Sequence, residues 1–422
     1  MKIKSLSFLL VILSVISCGK DDPETLNNTP IFIDQEFVAT EDIDANHVIG
    51  TLVASDPDDD PLTFKILLNE NDMFTLSTSG ELRLKEGKNL DYETAIDHDI
   101  KVTVSDGDRQ VDAIITILVE NIIDTKAEEL PSFVTTWKTT VEAQEVTIGT
   151  NALYQYNYTI DWGDGTEEEI LAVQNPTHQY EKPGSYQVVI QGDFPSIVMV
   201  DMKEESRMAL VSLDKWGTME WQALDRAFQG CSKMIYRATD APDLSNITNL
   251  DYMFADATIV NSDLNSWDVS HVKSMSHMFL NVTSFKGEIK DWEVTKVSAM
   301  DFMFAGASSF DGDISDWDVS GVTDMTAMFL NASSFNQDLG GWEIGQVSSI
   351  LNMLDGTRLS TKNYESILIE WSKQADQLGS VLDGLVFGVL DLKYCSDDSS
   401  NSRESLIVDH GWEFIGDSQK CN

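Results

Sequence analysis

The side chains with chemical potential in this chain are mostly carboxylates: 71 Asp and Glu stand against 28 Lys and Arg, a formal charge of −43. Many of them fall on a grid. Asp243, Asp268, Glu293, Asp318 and Glu343 occupy one slot at intervals of 25 residues, and Asp263, Glu288, Asp313 and Asp338 occupy another. Carboxylates stacked in columns repel one another and need an offset. Two arrangements supply it: backbone N–H groups donated at turns and helix starts, or cations and ligands bound along an edge. Turn acceptors are the favoured reading, because slot-specific turn residues are what stacked repeats generally require. The negative excess repels phosphate backbones, so nucleic acid is not expected as a partner. It suits divalent cations, calcium in particular.

Catalytic patterns are missing. The histidines (His47, His98, His178, His271, His277, His410) show no zinc-ligand spacing, and the chain has neither a Gly-x-Ser-x-Gly elbow nor a phosphate loop. Glycoside hydrolysis needs only two carboxylates and has no short motif, so it is the chemistry that motifs constrain least. No enzyme is expected. Among the cysteines, Cys395 and Cys421 stand close enough in sequence to close a terminal loop, worth on the order of 2–4 kcal/mol if bonded. Cys231 is left over and is expected to be buried.

Cys18 belongs to the start of the chain. Met1 to Lys4 is a short basic segment, and Ser5 to Ser17 is an apolar run of secretory length, too short to span a bilayer. The string Val15-Ile16-Ser17-Cys18-Gly19 resembles a bacterial lipobox, with Val15 and Ser17 in place of the usual residues. The resemblance implies acylation of Cys18, and Lys20-Asp21-Asp22 resembles a surface-display tag. The expected location is the outer membrane, lipid-anchored and facing the cell exterior.

Three periodicities divide the remainder. Residues 28–124 carry short β-branched runs (Val48 to Val53, Leu62 to Ile66, Ile114 to Leu118) between Asp, Gly and Pro turns, as an all-β sandwich would. Residues 131–200 carry a strand running into Trp162-Gly163-Asp164-Gly165, then Lys182-Pro183-Gly184-Ser185-Tyr186 and an alternating strand. From residue 237 the period is 25: Met253, Met278, Met303, Met328 and Met353 recur, as do Trp267, Trp292, Trp317 and Trp342. A fixed period of this size marks a solenoid. Within a unit, Trp317 and Val319 flank an outward Asp318 as in a short strand, whereas Val322, Met325, Met328, Phe329 and Ala332 step by three and four. Each unit is predicted to be a short strand plus a short helix, with the Trp column in the core. Trp137 and Trp216 lie outside that column and are the freer candidates for stacking on a sugar. Tyr364, Ile367, Leu368 and Trp371 mark a helix in a terminal cap.

Family resemblances sharpen this picture. Asn28-Thr29-Pro30, Glu41-Asp42, Asp56-Pro57-Asp58, Leu90-Asp91-Tyr92-Glu93, Val102 to Asp106 and Asn121 to Asp124 resemble, in order and spacing, a cadherin repeat. That resemblance implies calcium held by Asn28, Asp56, Asp58 and Asp106 at one pole, and by Glu41, Asp91, Glu93 and Asp124 at the other. The second β-segment resembles a PKD-type immunoglobulin-like domain. The string Trp317 to Phe329 with Ala332 to Leu339 resembles BspA-like leucine-rich-repeat surface proteins, without the asparagine ladder of ordinary leucine-rich repeats. The expected fold is multidomain: all-β immunoglobulin-like sandwiches, cadherin-like then PKD-like, followed by an α/β leucine-rich-repeat-like solenoid of 25-residue units. The expected segments are a signal peptide (1–17), tether (18–27), cadherin-like sandwich (28–124), linker (125–130), PKD-like module (131–200), solenoid N-cap (201–236), repeats (237–358) and C-terminal cap (359–422). The family implies adhesion through an extracellular protein; glycan capture for polysaccharide uptake and a passive scaffold are the alternatives.

Overall fold

The structure is a computed structural model and describes residues 27–92, 94–122, 125–171, 175–257 and 263–421. The chain folds as two compact units, Met1–Asp124 and Thr125–Asn422.

The described part of the first unit is a β-sandwich. Strands β1 (Gln35–Thr40), β3 (Thr63–Asn69), β6 (Asp97–Ser105) and β7 (Gln110–Glu120) form one sheet in the order β1-β7-β6-β3. Strands β2 (Val48–Thr51), β4 (Phe74–Leu76) and β5 (Glu81–Leu84) form the other. Period-two alternation builds the core: Ala113, Ile115 and Ile117 are buried with Leu82, Leu84, Val102 and Val104, while Ile114, between the first two, faces solvent. The runs read from the sequence fall on β2, β3 and β7.

The second unit has one continuous core from Phe133 to Trp412. Strands β8 (Phe133–Thr139), β10 (Asn157–Asp161), β11 (Glu167–Ile170) and β13 (Gly184–Asp193) are joined by β14 (Leu210–Lys215) and β15 (Ile235–Tyr236) in one sheet, ordered β11-β10-β13-β8-β14-β15. A smaller pair, β9 (Gln144–Thr147) with β12 (Thr177–Tyr180), and the short helix α1 (Glu204–Ala209) complete this end. The sheet thus crosses residue 200, and residues 131–200 and the solenoid start share one body. The first bridge of the solenoid, Ser196↔Ala223, leaves directly from the segment after β13.

The repeats differ from the predicted strand-plus-helix unit. Among the described residues of 237–358 there is no α-helix. Successive coils lie parallel, bridged at Asn249↔Ser274, Ser274↔Ala299, Ala299↔Asp324 and Asp324↔Ser349. Met325, Ala327, Phe329 and Asn331 donate their N–H groups to Ser349, Leu351, Met353 and Asp355 of the next coil, at 2.7–3.0 Å. The residues between them, Met328, Leu330 and Ala332, donate back three positions within their own coil. This alternation turns the side chains of Val322, Met325, Met328, Phe329 and Ala332 inward at helix-like spacing without a helix. It also requires left-handed backbone at two places per coil, Ala327 (φ 51°) and Asn331 (φ 61°) in this one, which a right-handed helix excludes. The aromatic side chains stack in register: Phe279, Phe304 and Phe329 at 5.6 and 5.7 Å, Trp267, Trp292 and Trp317 at 6.3 and 6.2 Å. Burial of each contributes roughly 1.5–3 kcal/mol.

Longer helices follow the repeats, in the C-terminal cap. Helix α2 (Thr361–Leu378) starts at Ser360, whose hydroxyl accepts the Asn363 N–H, and buries Tyr364, Ile367, Leu368 and Trp371. It leads to β16 (Val386–Gly388), which continues the ladder through Leu354 N–H to the Gly388 carbonyl. After β17 (Lys393–Tyr394), helix α3 (Asp397–Val408) leads to β18 (Glu413–Ile415), parallel to β16, and β19 (Ser418–Gln419) pairs with β17. The α/β coils expected in the repeats are therefore confined to this cap, where Cys395 and Cys421 are disulfide-bonded. Among the described residues no helix is long and apolar enough to cross a membrane.

Candidate functional site

Loop ends of the first sandwich gather carboxylates at one pole. Asp56 accepts the Asp58 N–H at 2.8 Å, Asp58 accepts the Asn28 side-chain amide at 2.9 Å, and Asp106 accepts the Asn27 amide and the N–H groups of Asp108 and Arg109. These bonds bring Asn28, Asp56, Asp58 and Asp106 into one cluster. They also hold two carboxyls in the charged form: the Asn28 N–H draws Asp58 below the ordinary carboxylate range, and the Arg109 N–H does the same for Asp106. Asp60, which the sequence reading did not single out, completes the group. Carboxylate oxygens of Asp56, Asp58 and Asp60 lie within 4.8 Å of one another. Partial desolvation and the charges of Asp56, Asp58 and Asp106 raise the Asp60 carboxyl. The signal for it was present in the run Asp58-Asp59-Asp60. Oδ2 of Asp56 is buried without a hydrogen-bond partner among the described residues. A hard divalent cation fits this donor set: it takes oxygen ligands, engages the orphaned oxygen and relieves the repulsion that lifts Asp60.

The other pole is built differently. Glu41 is buried, and its two oxygens accept the N–H groups of Tyr92 (2.8 Å) and Ile122 (2.6 Å), tying the 90s loop to the exit of β7. Asp91 accepts the N–H and hydroxyl of Thr94. Glu93 and Asp124 lie outside the described residues, as does Cys18.

Along the solenoid both acidic columns accept hydrogen bonds at turns. Asp243, Asp268 and Asp318 accept the N–H of Ser245, Ser270 and Ser320, and Asp263, Asp313 and Asp338 accept those of Asn265, Ser315 and Gly340. Glu293 accepts the Thr295 hydroxyl. The serine hydroxyls lead, and these N–H bonds add, in lowering the carboxyls of Asp268, Asp313 and Asp318, while the Ser245 N–H leads at Asp243. No such bond is seen at Glu288 or Glu343 among the described contacts. The tryptophans offer no platform. Trp292, Trp317 and Trp342 are buried and donate to the carbonyls of Leu264, Ile289 and Ile314. Trp137 and Trp216, expected to be freer, are fully buried as well, because β8 and β14 carry them into the shared core. Burial pushes the Cys231 thiol up to about 12, which leaves it inert at neutral pH. At the Trp162–Gly165 turn, His178 of β12 stacks on Trp162 at 4.9 Å and bonds Asp164 at 2.8 Å, so the turn is locked by the neighbouring β9–β12 pair. An open groove of about 760 Å³ between β8 and α1 is lined by Lys138, Val141, Glu204, Met208 and Lys233.

The ladder also carries a column of left-handed residues. The slot before each buried Met holds Tyr252, His277, Phe302, Ala327 and Asn352, Arg226 before the buried Ala227 takes the corresponding place in the preceding coil, and every one of these has positive φ, between 51° and 62°. The guanidinium of Arg226 lies over the Tyr252 ring at 5.6 Å; Tyr252 stacks on His277 at 4.3 Å, and His277 on Phe302 at 4.7 Å. All three rings are half-buried. Asp225, Asp251 and Asp301 precede three members of the column, and Nδ1 of His277 lies 3.4 Å from Asp301. Comparing the 25-residue slots side by side would have found these rings, since the same slot turns from Tyr to His to Phe.

Comparison with known proteins bears on parts of the chain. Residues 198–310 and 266–371 match a family described as "Mycoplasma protein of unknown function, DUF285". Among solved structures, human protocadherin-24 EC1-2 is 28% identical over 23% of this chain and 45% of its own, with a TM-score of 0.20. Human mucin-like protocadherin EC1-2 is 23% identical over 22% of this chain and 52% of its own, with a TM-score of 0.20. The third cadherin domain of human protocadherin 7 is 17% identical over 25% of this chain and 98% of its own, with a TM-score of 0.21. The chain spans about half the length of the first two.

Proposed function

We propose that this chain is a cell-surface binding protein, not an enzyme, that its BspA-like repeats hold a protein partner, and that its cadherin-like segment binds calcium at the Asp56–Asp58–Asp60 pole. The observation that carries the reading is the ladder face: coil after coil repeats one backbone frame and sets the half-buried Tyr252, His277 and Phe302 in one row, the kind of surface stacked repeats use for partners. The match of residues 198–310 and 266–371 to the DUF285 family is consistent with it, and buried tryptophans leave no column of ring faces for sugars. The PKD-like segment serves as the solenoid's N-terminal cap. Cys18 carries the lipid that holds the protein at the outer membrane, its surface facing out; detergent-phase partitioning that survives Cys18→Ala would refute the anchor.

The test is binding of the full chain to an extracellular-matrix panel and to a glycan array, each with and without calcium. Protein capture supports adhesion; capture of glycans alone moves the protein to polysaccharide uptake, and capture of neither leaves a scaffold. Calcium is tested separately. Millimolar calcium is expected to raise the melting temperature of the first unit, and Asp56→Asn with Asp58→Asn to abolish that rise. An unchanged melting curve in the wild-type chain refutes the site.

A further inference from the structure

The ladder carries a second left-handed column, four residues further on: Gly230, Asp256, Asn281, Gly306, Asn331 and Gly356. Its members are the residue types that tolerate positive φ. The Arg226–Asn352 column makes the same backbone demand, yet three coils in succession meet it with Tyr, His and Phe. Bulky residues at positive φ cost stability, and such strain concentrates where a surface is used. Mutual stacking recovers part of that cost and also fixes what the surface presents. Arg226 and His277 cover the two faces of Tyr252, and Tyr252 and Phe302 cover those of His277. What these half-exposed rings turn outward is their edges.

A ring edge carries the positive side of the aromatic quadrupole and prefers the face of another ring. A sugar stacks its C–H groups on ring faces, and both faces of Tyr252 and His277 are taken. Asp225, Asp251 and Asp301 directly precede Arg226, Tyr252 and Phe302; Asp251 accepts the Ser274 hydroxyl and the Ser276 N–H, and Asp301 the Ser276 hydroxyl, which fixes these two negative groups along the column. Asp251 and Asp301 lie close enough to His277 to pull on its proton.

We propose that the Tyr252–His277–Phe302 strip docks a basic, aromatic-bearing segment of a partner protein. The partner's ring lies face-on across the strip, and its Lys or Arg side chains meet Asp225, Asp251 and Asp301. This deepens the reading of the repeats as a protein-binding surface and rests on it.

The column supplies its own control, because Asn352 already occupies this slot with positive φ. Tyr252→Asn with Phe302→Asn therefore removes rings while keeping a residue the backbone accepts. The probe is a short synthetic peptide of alternating lysine and tryptophan, titrated against the full chain and compared with versions carrying leucine for tryptophan or glutamine for lysine. The strip predicts binding of the first peptide and a loss of about tenfold in either substituted version. The double Asn variant loses about tenfold with unchanged circular dichroism, and Asp251→Asn with Asp301→Asn does the same. Asp268→Asn with Asp318→Asn, an equal charge change in the turn column, stays within about twofold. No binding to the wild-type chain overturns the proposal. So does equal loss from both carboxylate pairs, which reports bulk charge, or an Asn variant that binds like wild type. The broader reading fails separately, by capture of glycans alone on the wild-type chain.

Discussion

At the scale of single residues, two histidines in the second unit carry opposite pH dependences. His410 is buried between Asp376 and Asp383, each 3.1 Å from a ring nitrogen. Burial alone lowers its pKa, but the hydrogen bonds and charges of Asp376 and Asp383 outweigh it and hold the imidazole above its ordinary value. His277 is the reverse: burial within the ring stack lowers its pKa, and the charges of Asp301 and Asp251 only partly oppose this. For His410 the contribution to stability is fully present below the unfolded pKa of about 6.5 and is lost as pH rises through the raised folded value. For His277 stability is intact above about 6.5 and is lost as pH falls from there through the lowered folded value. His410→Gln is thus expected to destabilise most at low pH, narrowing its gap from wild type as pH rises. His277→Asn is expected to gain on wild type as pH falls. Melting temperatures of both variants across the histidine range check the signs, and parallel curves for variant and wild type would sink the assignment.

At the scale of elements, the left-handed positions decide the architecture and give the next prediction. Gly306 sits at φ 71°, and a Cβ built on it meets Oδ1 of Asn281 at 2.4 Å. Gly306→Ala therefore adds a left-handed cost of about 1–2 kcal/mol and displaces the Asn281 side chain. Urea denaturation should show that loss, whereas Gly341→Ala, where a Cβ meets nothing within 4 Å, should lose little. The same positions explain how the sequence was readable and how it misled. The period, the Met and Phe stripe and the buried Trp column were all visible, because core positions in stacked coils must repeat. The helix was a misreading of spacing: Val322, Met325, Met328 and Ala332 recur every three or four residues because turns close over three. Asn281, Gly306, Asn331 and Gly356, 25 residues apart, held the correcting evidence, since residues that tolerate positive φ in one slot argue against a helix. In the first unit, alternation located β2, β3 and β7 directly, and ordered Asp loops pointed to the acidic pole. Asp60 escaped because only the folded loop shows which carboxylates of a run converge.

At the scale of the whole second unit, a stacked ladder must be closed at both ends, and this chain closes them by different means. The sheet that holds β8, β13 and β14 begins the ladder, and its core runs into that of the first coils without a break. At the far end, β16 takes the N–H of Leu354, and Asp355 accepts the Leu390 N–H at 2.8 Å. Helix α2 covers the last Trp, with Gln374 donating to the Trp342 carbonyl. The cap is fastened to itself by Arg403, which grips Asp417 at 2.7 and 2.8 Å while Tyr364 donates to the same carboxylate, and by the Cys395–Cys421 bond. Removing residues 359–422 would leave the ladder groups around Leu354 and Asp355 unpaired and bare Met353 and Leu354, both now buried. An unpaired parallel edge with apolar side chains behind it is a template for another chain. The truncated protein should therefore associate end to end, with a mass that grows with concentration in sedimentation velocity, while the full chain does not. Charge sharpens the test, because copies of so acidic a chain repel one another. Association of the truncated form should strengthen as salt screens that repulsion. A truncated chain that stays monomeric at high salt would show that the last coil seals its own edge and that the cap's role lies elsewhere.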